Sequence, residues 1–195
     1  MEEVHSASTA SANYSRYLTA SGRLRTFLRK RVFCGDLVRH LQGTTLDIGC
    51  GAGGFLQQNP GGIGVDSNPY VLGHCLSLGL VVGCADAYEL PFRSNSFQGV
   101  LMSKVLEHLA APLIALGEAT RVLMPEGRLV VTVPTEAGFA HDETHVQFVD
   151  DRALCDMALS CGLCVEDLYR FPLGFGAFGR LLHFVELRGL FRKTC

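Results

Sequence analysis

Four glycines, Gly49, Gly51, Gly53 and Gly54, follow a short apolar run that contains one acid, Asp47. A buried strand that leads into a glycine-rich turn often brings a nucleotide-like ligand to the carboxyl end of the strand. Glycine allows the backbone to approach a ligand more closely than any residue with a Cβ atom. The segment therefore predicts a binding loop for a nucleotide-like molecule.

The spacing of these glycines fits two kinds of ligand. Gly49, Gly51 and Gly54 satisfy the dinucleotide pattern G-x-G-x-x-G, which is a weak signal by itself. Asp47 disfavours a pyrophosphate, because like charges about 4 Å apart repel by roughly 4 kcal/mol at intermediate dielectric. The same carboxylate suits S-adenosylmethionine (SAM), which carries an ammonium and a sulfonium. An NAD-dependent oxidoreductase is the less favoured alternative.

Two further acids follow predicted strands, Asp66 after Gly62–Val65 and Asp86 after Leu80–Cys84. Because parallel strands end at the same edge of a sheet, both should lie near Asp47. The position of Asp66 suits ribose hydroxyls, and that of Asp86 suits an adenine amino group. Three acids in register with one glycine loop are a much stronger signal than any one alone.

The elements that position these residues alternate between short apolar runs and helical stretches, which predicts βα units in one doubly wound sheet. Helices are expected from Gly54, over Pro69–Leu78, Leu113–Leu123 and Asp151–Cys161, with a turn near Val105–Leu109. Thr135–Phe148 is predicted to be a loop over the carboxyl edge of the sheet. The seven predicted strands are Thr45–Ile48, Gly62–Val65, Leu80–Cys84, Gly99–Ser103, Arg128–Val133, Cys164–Tyr169 and Leu181–Phe191.

Composition limits the classes of function. The chain has 195 residues, 48% of them hydrophobic and 18% charged, which is typical of one globular domain. The formal net charge is −2, so there is no overall basic field that would attract nucleic acid. We expect residues 1–42 to form a tail and a capping helix or helices, and residues 43–195 to form the core. The lack of an apolar leader or membrane span, together with eight cysteines, predicts a cytoplasmic protein with reduced thiols.

The motifs resemble those of class I SAM-dependent methyltransferases, and of the small type 11 domain of ubiquinone and menaquinone methyltransferases in particular. The resemblance is carried by Leu46-Asp-Ile-Gly-Cys-Gly-Ala-Gly, Gly64-Val-Asp-Ser, Ala85-Asp-Ala, Val105-Leu-Glu-His-Leu and Arg121-Val-Leu-Met-Pro-Glu-Gly. It implies a three-layer, Rossmann-like α/β fold with a seven-stranded sheet that is mostly parallel and has an antiparallel last strand. It implies SAM as the cofactor, with S-adenosylhomocysteine as its product.

The resemblance also implies roles for particular residues. Asp47 would organise the loop and reach the amino group, Asp66 would hold the ribose, and Ser103 would face the sulfonium through its backbone. Lys104 departs from the family, which often has a small polar residue there, and a cation beside a sulfonium is unfavourable unless it points away. The complete predicted cofactor set is Asp47, Gly49, Cys50, Gly51, Gly53, Asp66, Ser67, Asp86, Ala87 and Ser103.

The histidines are the candidates for a catalytic base, which methyl transfer needs only when the acceptor must lose a proton. They are His108, His141 and His145, and each also has an ordinary structural interpretation. We predict no metal site, because Cys161 and Cys164, read with Cys155 and His145, fit a buried core better than zinc ligation.

Two functions remain open at this point: methyl transfer to a small and lipophilic acceptor, or a catalytically silent SAM-binding partner or regulatory subunit. The apolar segment Phe171–Phe191 fits a core strand, the surface of a homodimer or a substrate entrance.

Overall fold

The computed structural model describes residues 33–140, 142–172 and 185–194. The predicted N-terminal tail and most of the predicted capping helix lie outside these ranges. The helices are α1 (Gly35–His40), α2 (Pro69–Ser77), the 3₁₀ turn η1 (Leu106–His108), α3 (Pro112–Val122), α4 (Glu136–Phe139) and α5 (Asp151–Ser160). The strands are β1 (Thr45–Ile48), β2 (Ile63–Asp66), β3 (Val81–Cys84), β4 (Phe97–Ser103), β5 (Leu123–Pro134), β6 (Leu163–Phe171) and β7 (Glu186–Lys193).

The seven strands form one sheet in the order β3-β2-β1-β4-β5-β7-β6. The pairs from β3 across to β5 are parallel, and β7 runs antiparallel to both β5 and β6. This confirms the predicted mostly parallel sheet with an antiparallel last strand. The direction of chain growth reverses between β1 and β4, which is where an open α/β sheet forms a crevice for ligands.

Apolar residues cover both faces of the sheet, because neighbouring residues of its central strands point to opposite sides. On one face, Val100 and Met102 pack in a cluster with Leu116 of α3 and Leu154 of α5. On the other face, Leu101 packs in a cluster with residues of α1 and α2, among them Leu37 and Leu72. The result is the predicted three-layer arrangement.

A buried arginine joins α1 to the sheet. Arg188 of β7 is 0% exposed and makes ion pairs with Asp36 at 2.6 Å and Glu186 at 2.7 Å. Its guanidinium carbon also lies 3.8 Å from the centre of the Phe171 ring. A buried guanidinium needs such partners to offset the loss of water.

Three local predictions differ from the structure. Residues 51–58 form consecutive turns rather than a regular helix from Gly54, since Gly53 has a φ of +70° and Asn59, before Pro60, is disfavoured in a helix. The predicted loop Thr135–Phe148 contains the short helix α4. β5 begins at Leu123, ahead of its predicted start at Arg128, and includes Glu126 with a φ of +62°.

The apolar segment Phe171–Phe191 is described at its two ends only. From Glu186 onward it belongs to β7, which lies inside the sheet and is buried. This end is therefore a core strand. Residues 173–184 are outside the described ranges, and the predicted homodimer stays a prediction.

Candidate functional site

The glycine loop is fixed at the carboxyl end of β1 by the neighbouring strand β2. The backbone N–H groups of Gly49 and Cys50 both donate to the Val65 carbonyl, at 2.8 and 3.0 Å. Gly49, Gly51 and Gly53 have φ angles of +71°, +51° and +70°, which side chains with a Cβ rarely adopt. A Cβ atom on Gly49 would also lie 2.6 Å from Cγ2 of Val105. The loop therefore needs these glycines both for its conformation and for its packing.

Asp66 binds the loop from the end of β2. Its Oδ2 accepts the backbone N–H of Gly51 at 2.9 Å, and its Oδ1 accepts that of Asn68 at 2.9 Å. Asn68 in turn caps α2, because its side chain accepts the backbone N–H of Tyr70 at 3.0 Å. One carboxylate thus orients both the glycine loop and the entry to α2.

Asp47 is buried in β1, with 3% of its surface exposed. Burial, the charge of Asp66 and the thiol of Cys75 all raise the pKa of the Asp47 carboxyl well above its usual range. Among the described residues, none donates a hydrogen bond to this carboxylate. A buried acid without a donor is costly, and a cation in the adjacent crevice would relieve that cost.

The other predicted contacts to the adenosine part lie along the same edge. Asp86 is exposed just beyond β3, and its Oδ1 accepts the backbone N–H of Tyr88 at 2.9 Å. Ala87 is half-buried against the main core cluster, and Ser67 is exposed directly after β2. The structure therefore brings Asp47, Asp66 and Asp86 to one edge of the sheet, as the parallel strands predict.

The end of β4 carries the two residues expected beside the reacting sulfur. The hydroxyl of Ser103 lies 3.0 Å from that of Thr132 on β5. Lys104 has a φ of +57°, and its Nζ lies 3.5 Å from Oε2 of Glu186, whose side chain is 4% exposed. The lysine charge is thus paired with a buried carboxylate on β7.

A second polar cluster forms where η1 meets the loop after α4. The backbone N–H of Val146 donates to the Glu107 carbonyl at 2.7 Å, which holds the two segments together. The rings of His108 and His145 lie 4.9 Å apart between centroids. His141, the third predicted candidate base, lies outside the described residues.

Glu107 is the unexpected member of this cluster. It is 0% exposed, and neither of its carboxylate oxygens has a hydrogen-bond partner among the described residues. Burial raises the pKa of Glu107 to about 7. Its own backbone N–H, which lies nearby but outside hydrogen-bond geometry, and the charge of Lys104 act in the opposite direction. Sequence reasoning missed this residue because a Glu beside a His on a polar turn is usually exposed.

Cys75 is another residue that sequence reasoning did not assign to the site. Its thiol donates to the carbonyl of Gly51 at 3.2 Å, so α2 also contacts the loop. The apolar context of Cys75 gave no sign of this contact. Cys155, Cys161 and Cys164 belong to no cluster of potential metal ligands in the described part of the chain; the cluster found there is Glu107, His108 and His145.

Comparisons with known proteins agree with this geometry. Residues 46–131 match the family model described as a methyltransferase domain, Methyltransf_11. Residues 46–131 therefore form a methyltransferase domain of type 11, as the motifs predict, and SAM is the cofactor of that domain class.

Two similar proteins illustrate the range of relatives. A Bos taurus protein named "Probable tRNA methyltransferase 9B" is 30% identical over 168 residues, which cover 82% of this chain and 35% of that protein. A malonyl-[acyl-carrier protein] O-methyltransferase of Alcanivorax borkumensis is 38% identical over 69 residues, covering 35% of this chain and 23% of that protein. The chain thus spans less than half the length of both.

Among solved structures, the fold resembles a methyltransferase in complex with the Haloferax volcanii Trm112 methyltransferase activator. The TM-score is 0.75 at 18% identity, with 93% of this chain and 98% of that one covered. This likeness supports the fold alone.

Among the described residues, no helix is long and apolar enough to cross a membrane.

Proposed function

We propose that this chain is a SAM-dependent methyltransferase. The observation that carries the proposal is the pair of acids around the glycine loop. Asp66 holds Gly51 by a 2.9 Å hydrogen bond, and Asp47 lies buried nearby with no hydrogen-bond donor in the described part of the chain. A dinucleotide pyrophosphate would meet two carboxylates here, whereas the ammonium of SAM would meet a complementary charge. The residues present therefore fit the cofactor.

We propose for these residues the same contacts with SAM that the motifs imply. Gly49, Gly51 and Gly53, with Cys50 between them, would line the methionine part, and Asp47 would face its ammonium. Asp66 still has acceptor capacity beyond its two backbone hydrogen bonds, so its carboxylate can also take a ribose hydroxyl. For the adenine and the sulfur we propose contacts with the remaining members of the set, Ser67, Asp86, Ala87 and Ser103.

Methyl transfer requires mainly that the acceptor atom and the methyl group be aligned. SAM supplies an electrophilic methyl group whose leaving group is a neutral thioether. The chain has to hold the acceptor atom in line with that methyl group and exclude water, which is where most of the rate enhancement arises. Lys104 pairs with Glu186, which Arg188 shares, so the lysine charge near a sulfonium at the end of β4 is partly offset.

A base is available if the acceptor must lose a proton. Burial lowers the pKa of His108, and His145 and Lys104 lower it further. The hydrogen bond that Nδ1 donates to the Thr144 carbonyl and the charge of Asp142 oppose this without reversing it, so the imidazole is neutral near pH 7. His108 follows the end of β4 by five residues, and β4 pairs in parallel with β1, whose carboxyl end leads into the glycine loop. We propose His108 ahead of His145, whose side chain is 7% exposed and stacks on Phe139.

For the acceptor we propose a small, lipophilic molecule. The segment after α4 exposes apolar side chains beside η1, with Val146 61% and Phe148 43% exposed. A second candidate is a tRNA nucleoside, favoured by the name of the bovine relative, and an activator subunit is then a candidate partner, as in the Haloferax complex.

The test combines binding with turnover. Calorimetry with SAM, S-adenosylhomocysteine and NAD should show binding of the first two, and binding of NAD without SAM would refute the cofactor assignment. Transfer from methyl-labelled SAM is then measured on a panel of lipophilic hydroxyl, amine and carboxyl compounds, and on bulk tRNA with and without an activator subunit. Label in the small molecules supports the first acceptor, and label in tRNA supports the second. SAM binding with no transfer to any of them would favour the silent SAM-binding partner over the enzyme.

A further inference from the structure

Glu107, His108 and His145 bring one carboxylate and two imidazoles together away from the glycine loop. One ligand atom from each lies within 4.8 Å of the others. The residues come from two segments, η1 and the loop that follows α4, which are held together by the hydrogen bond from Val146 to Glu107. The cluster is therefore built by the fold and not by sequence proximity alone.

Both imidazoles are held in the tautomer that leaves Nε2 unprotonated. Nδ1 of His108 lies 3.2 Å from the carbonyl oxygen of Thr144, and Nδ1 of His145 lies 2.9 Å from that of Phe139. A carbonyl oxygen can only accept, so each Nδ1 carries a hydrogen, and in the neutral imidazole each Nε2 then presents a lone pair. Metal-binding histidines are commonly fixed by this hydrogen bond to a backbone carbonyl.

The side chain of Thr144 supports the same assignment for His108. The Thr144 hydroxyl donates to Oδ1 of Asp142 at 2.6 Å, so its hydrogen is already used. Its oxygen, 3.2 Å from Nδ1 of His108, can then only accept from that nitrogen. Two acceptors thus face Nδ1, and neither could pair with an unprotonated nitrogen.

The carboxylate of Glu107 gives an independent indication that this cluster binds an ion. Its carboxylate is fully buried beside these two histidines, and both of its oxygens lack a hydrogen-bond partner among the described residues. Buried polar atoms without a partner are rare in folded proteins and usually point to a bound ion or water. A cation would satisfy both oxygens at once.

We propose that Glu107, His108 and His145 form a binding site for one divalent transition-metal ion, of which Zn²⁺ fits best. Two histidines and one glutamate are a known ligand set of zinc centres that keep a fourth position open, and imidazoles are poor ligands for Mg²⁺ and Ca²⁺. With bonds of about 2.0–2.2 Å the ligand atoms must approach one another by roughly 1 Å, which rotation of the side chains can supply.

Two features define the surroundings of the ion. Oδ2 of Asp142 lies 3.9 Å from Nε2 of His145 and is the nearest candidate for a further ligand. Val105 separates the cluster from the glycine loop, since it immediately precedes η1 and a Cβ on Gly49 would lie 2.6 Å from its Cγ2. Metal binding does not require the proposed methyl transfer, but Nε2 of His108 cannot bind an ion and accept a proton at the same time, so His108 can serve as the proposed base only in the metal-free protein.

The test uses the full chain after treatment with a chelator. Calorimetry with Zn²⁺ should give one ion per chain, and Co²⁺ should give visible d–d absorption without the near-ultraviolet band of sulfur-to-cobalt charge transfer. The spectrum separates the cluster from the cysteines, such as Cys50 and Cys75. A charge-transfer band, or no binding at all, would overturn the proposal even without any variant.

Two variants and two controls then locate the ion. Glu107→Gln and His145→Gln should each weaken Zn²⁺ binding by at least 100-fold, whereas His74→Gln on α2 and Cys75→Ser should change it less than threefold. Glu107→Gln removes a buried carboxylate without changing its size, so it should keep the thermal stability of the wild type and its affinity for SAM. Unchanged Zn²⁺ affinity in this folded variant, or loss of binding in Cys75→Ser, would refute the site.

Discussion

The carboxylate of Asp66 accepts the backbone N–H of Gly51 at 2.9 Å, so the end of β2 holds the loop that leaves β1. The same residue is the predicted partner of the ribose. Asp66 thus has two roles, one in shaping the loop and one in the proposed ligand contact. Substitutions at this position can separate them.

Replacement of Asp66 by Ala should weaken SAM binding by about 10- to 150-fold, since a charge-assisted hydrogen bond contributes roughly 1.5–3 kcal/mol. Asp66→Asn keeps one acceptor oxygen, which can accept from either Gly51 or the ribose. This variant should therefore lose less SAM affinity than Asp66→Ala. Calorimetry with SAM measures both variants, and circular dichroism checks that each is folded. Wild-type affinity in a folded Asp66→Ala protein would remove Asp66 from the binding site.

Asp47→Asn should stabilise the unliganded protein while weakening SAM binding. The raised pKa of Asp47 means that the folded state disfavours the ionised carboxylate. Ionisation at neutral pH therefore lowers the stability of the wild type, whereas the neutral amide in Asp47→Asn carries no such cost. We expect a rise of about 2–4 °C in Tm per kcal/mol gained, as is usual for a chain of this size.

Calorimetry and thermal unfolding at pH 7 measure the two effects of Asp47→Asn together. The control is Asp156→Asn on α5, because the Asp156 side chain is 68% exposed and should affect neither quantity. A lower Tm with unchanged SAM affinity would show that Asp47 serves the fold alone.

Gly53→Ala should destabilise the protein by about 1–3 kcal/mol, because the residue has a left-handed φ and no room for a side chain. A Cβ there would lie 2.4 Å from Cδ1 of Leu80 and 3.1 Å from Sγ of Cys75. Gly73→Ala is the matched control, since Gly73 lies in α2 with nothing within 4 Å of an added Cβ. That control should stabilise the helix by about 0.5–1 kcal/mol, and urea unfolding of both variants measures the contrast. Equal effects would mean that the loop at Gly53 can relax without cost.

Much of the fold could be predicted because its signals are local. The apolar run before Gly49 defines β1, and parallel strands place Asp47, Asp66 and Asp86 at one edge regardless of structural detail. The helix expected from Gly54 was wrong, because helical spacing does not register the left-handed φ of Gly53 or the effect of Pro60.

The remainder of the site depends on contacts between distant segments. Lys104 pairs with Glu186 only because β7 lies between β5 and β6 in the sheet. No local sequence pattern predicts that ion pair. Glu107 is buried by the segment that carries His145, which adjoins it only in the folded chain. Sequence patterns could therefore name the histidines as candidates but could not place the carboxylate with them.

Glu166 on β6 makes stability depend on pH in the acid range. Burial alone would raise the pKa of its carboxyl, but hydrogen bonds and charges from Arg128 and Arg192 outweigh burial and lower it. A carboxyl with a lowered pKa in the folded state contributes stability above its unfolded pKa of about 4.3, and this is lost as the pH falls through the folded value.

Removing the Glu166 carboxylate should remove that contribution. Glu166→Gln should therefore be less stable than the wild type at pH 7, and the difference should shrink steadily as the pH falls below about 4.3, where the wild-type carboxyl takes up its proton. Thermal unfolding of both proteins across the acid range measures the difference directly. Glu89→Gln, at an exposed position between β3 and β4, is the control and should change stability little at any pH, because substitutions of exposed side chains usually have small effects. If the gap between wild type and Glu166→Gln stays constant with pH, the two arginines do not act on Glu166 through its charge.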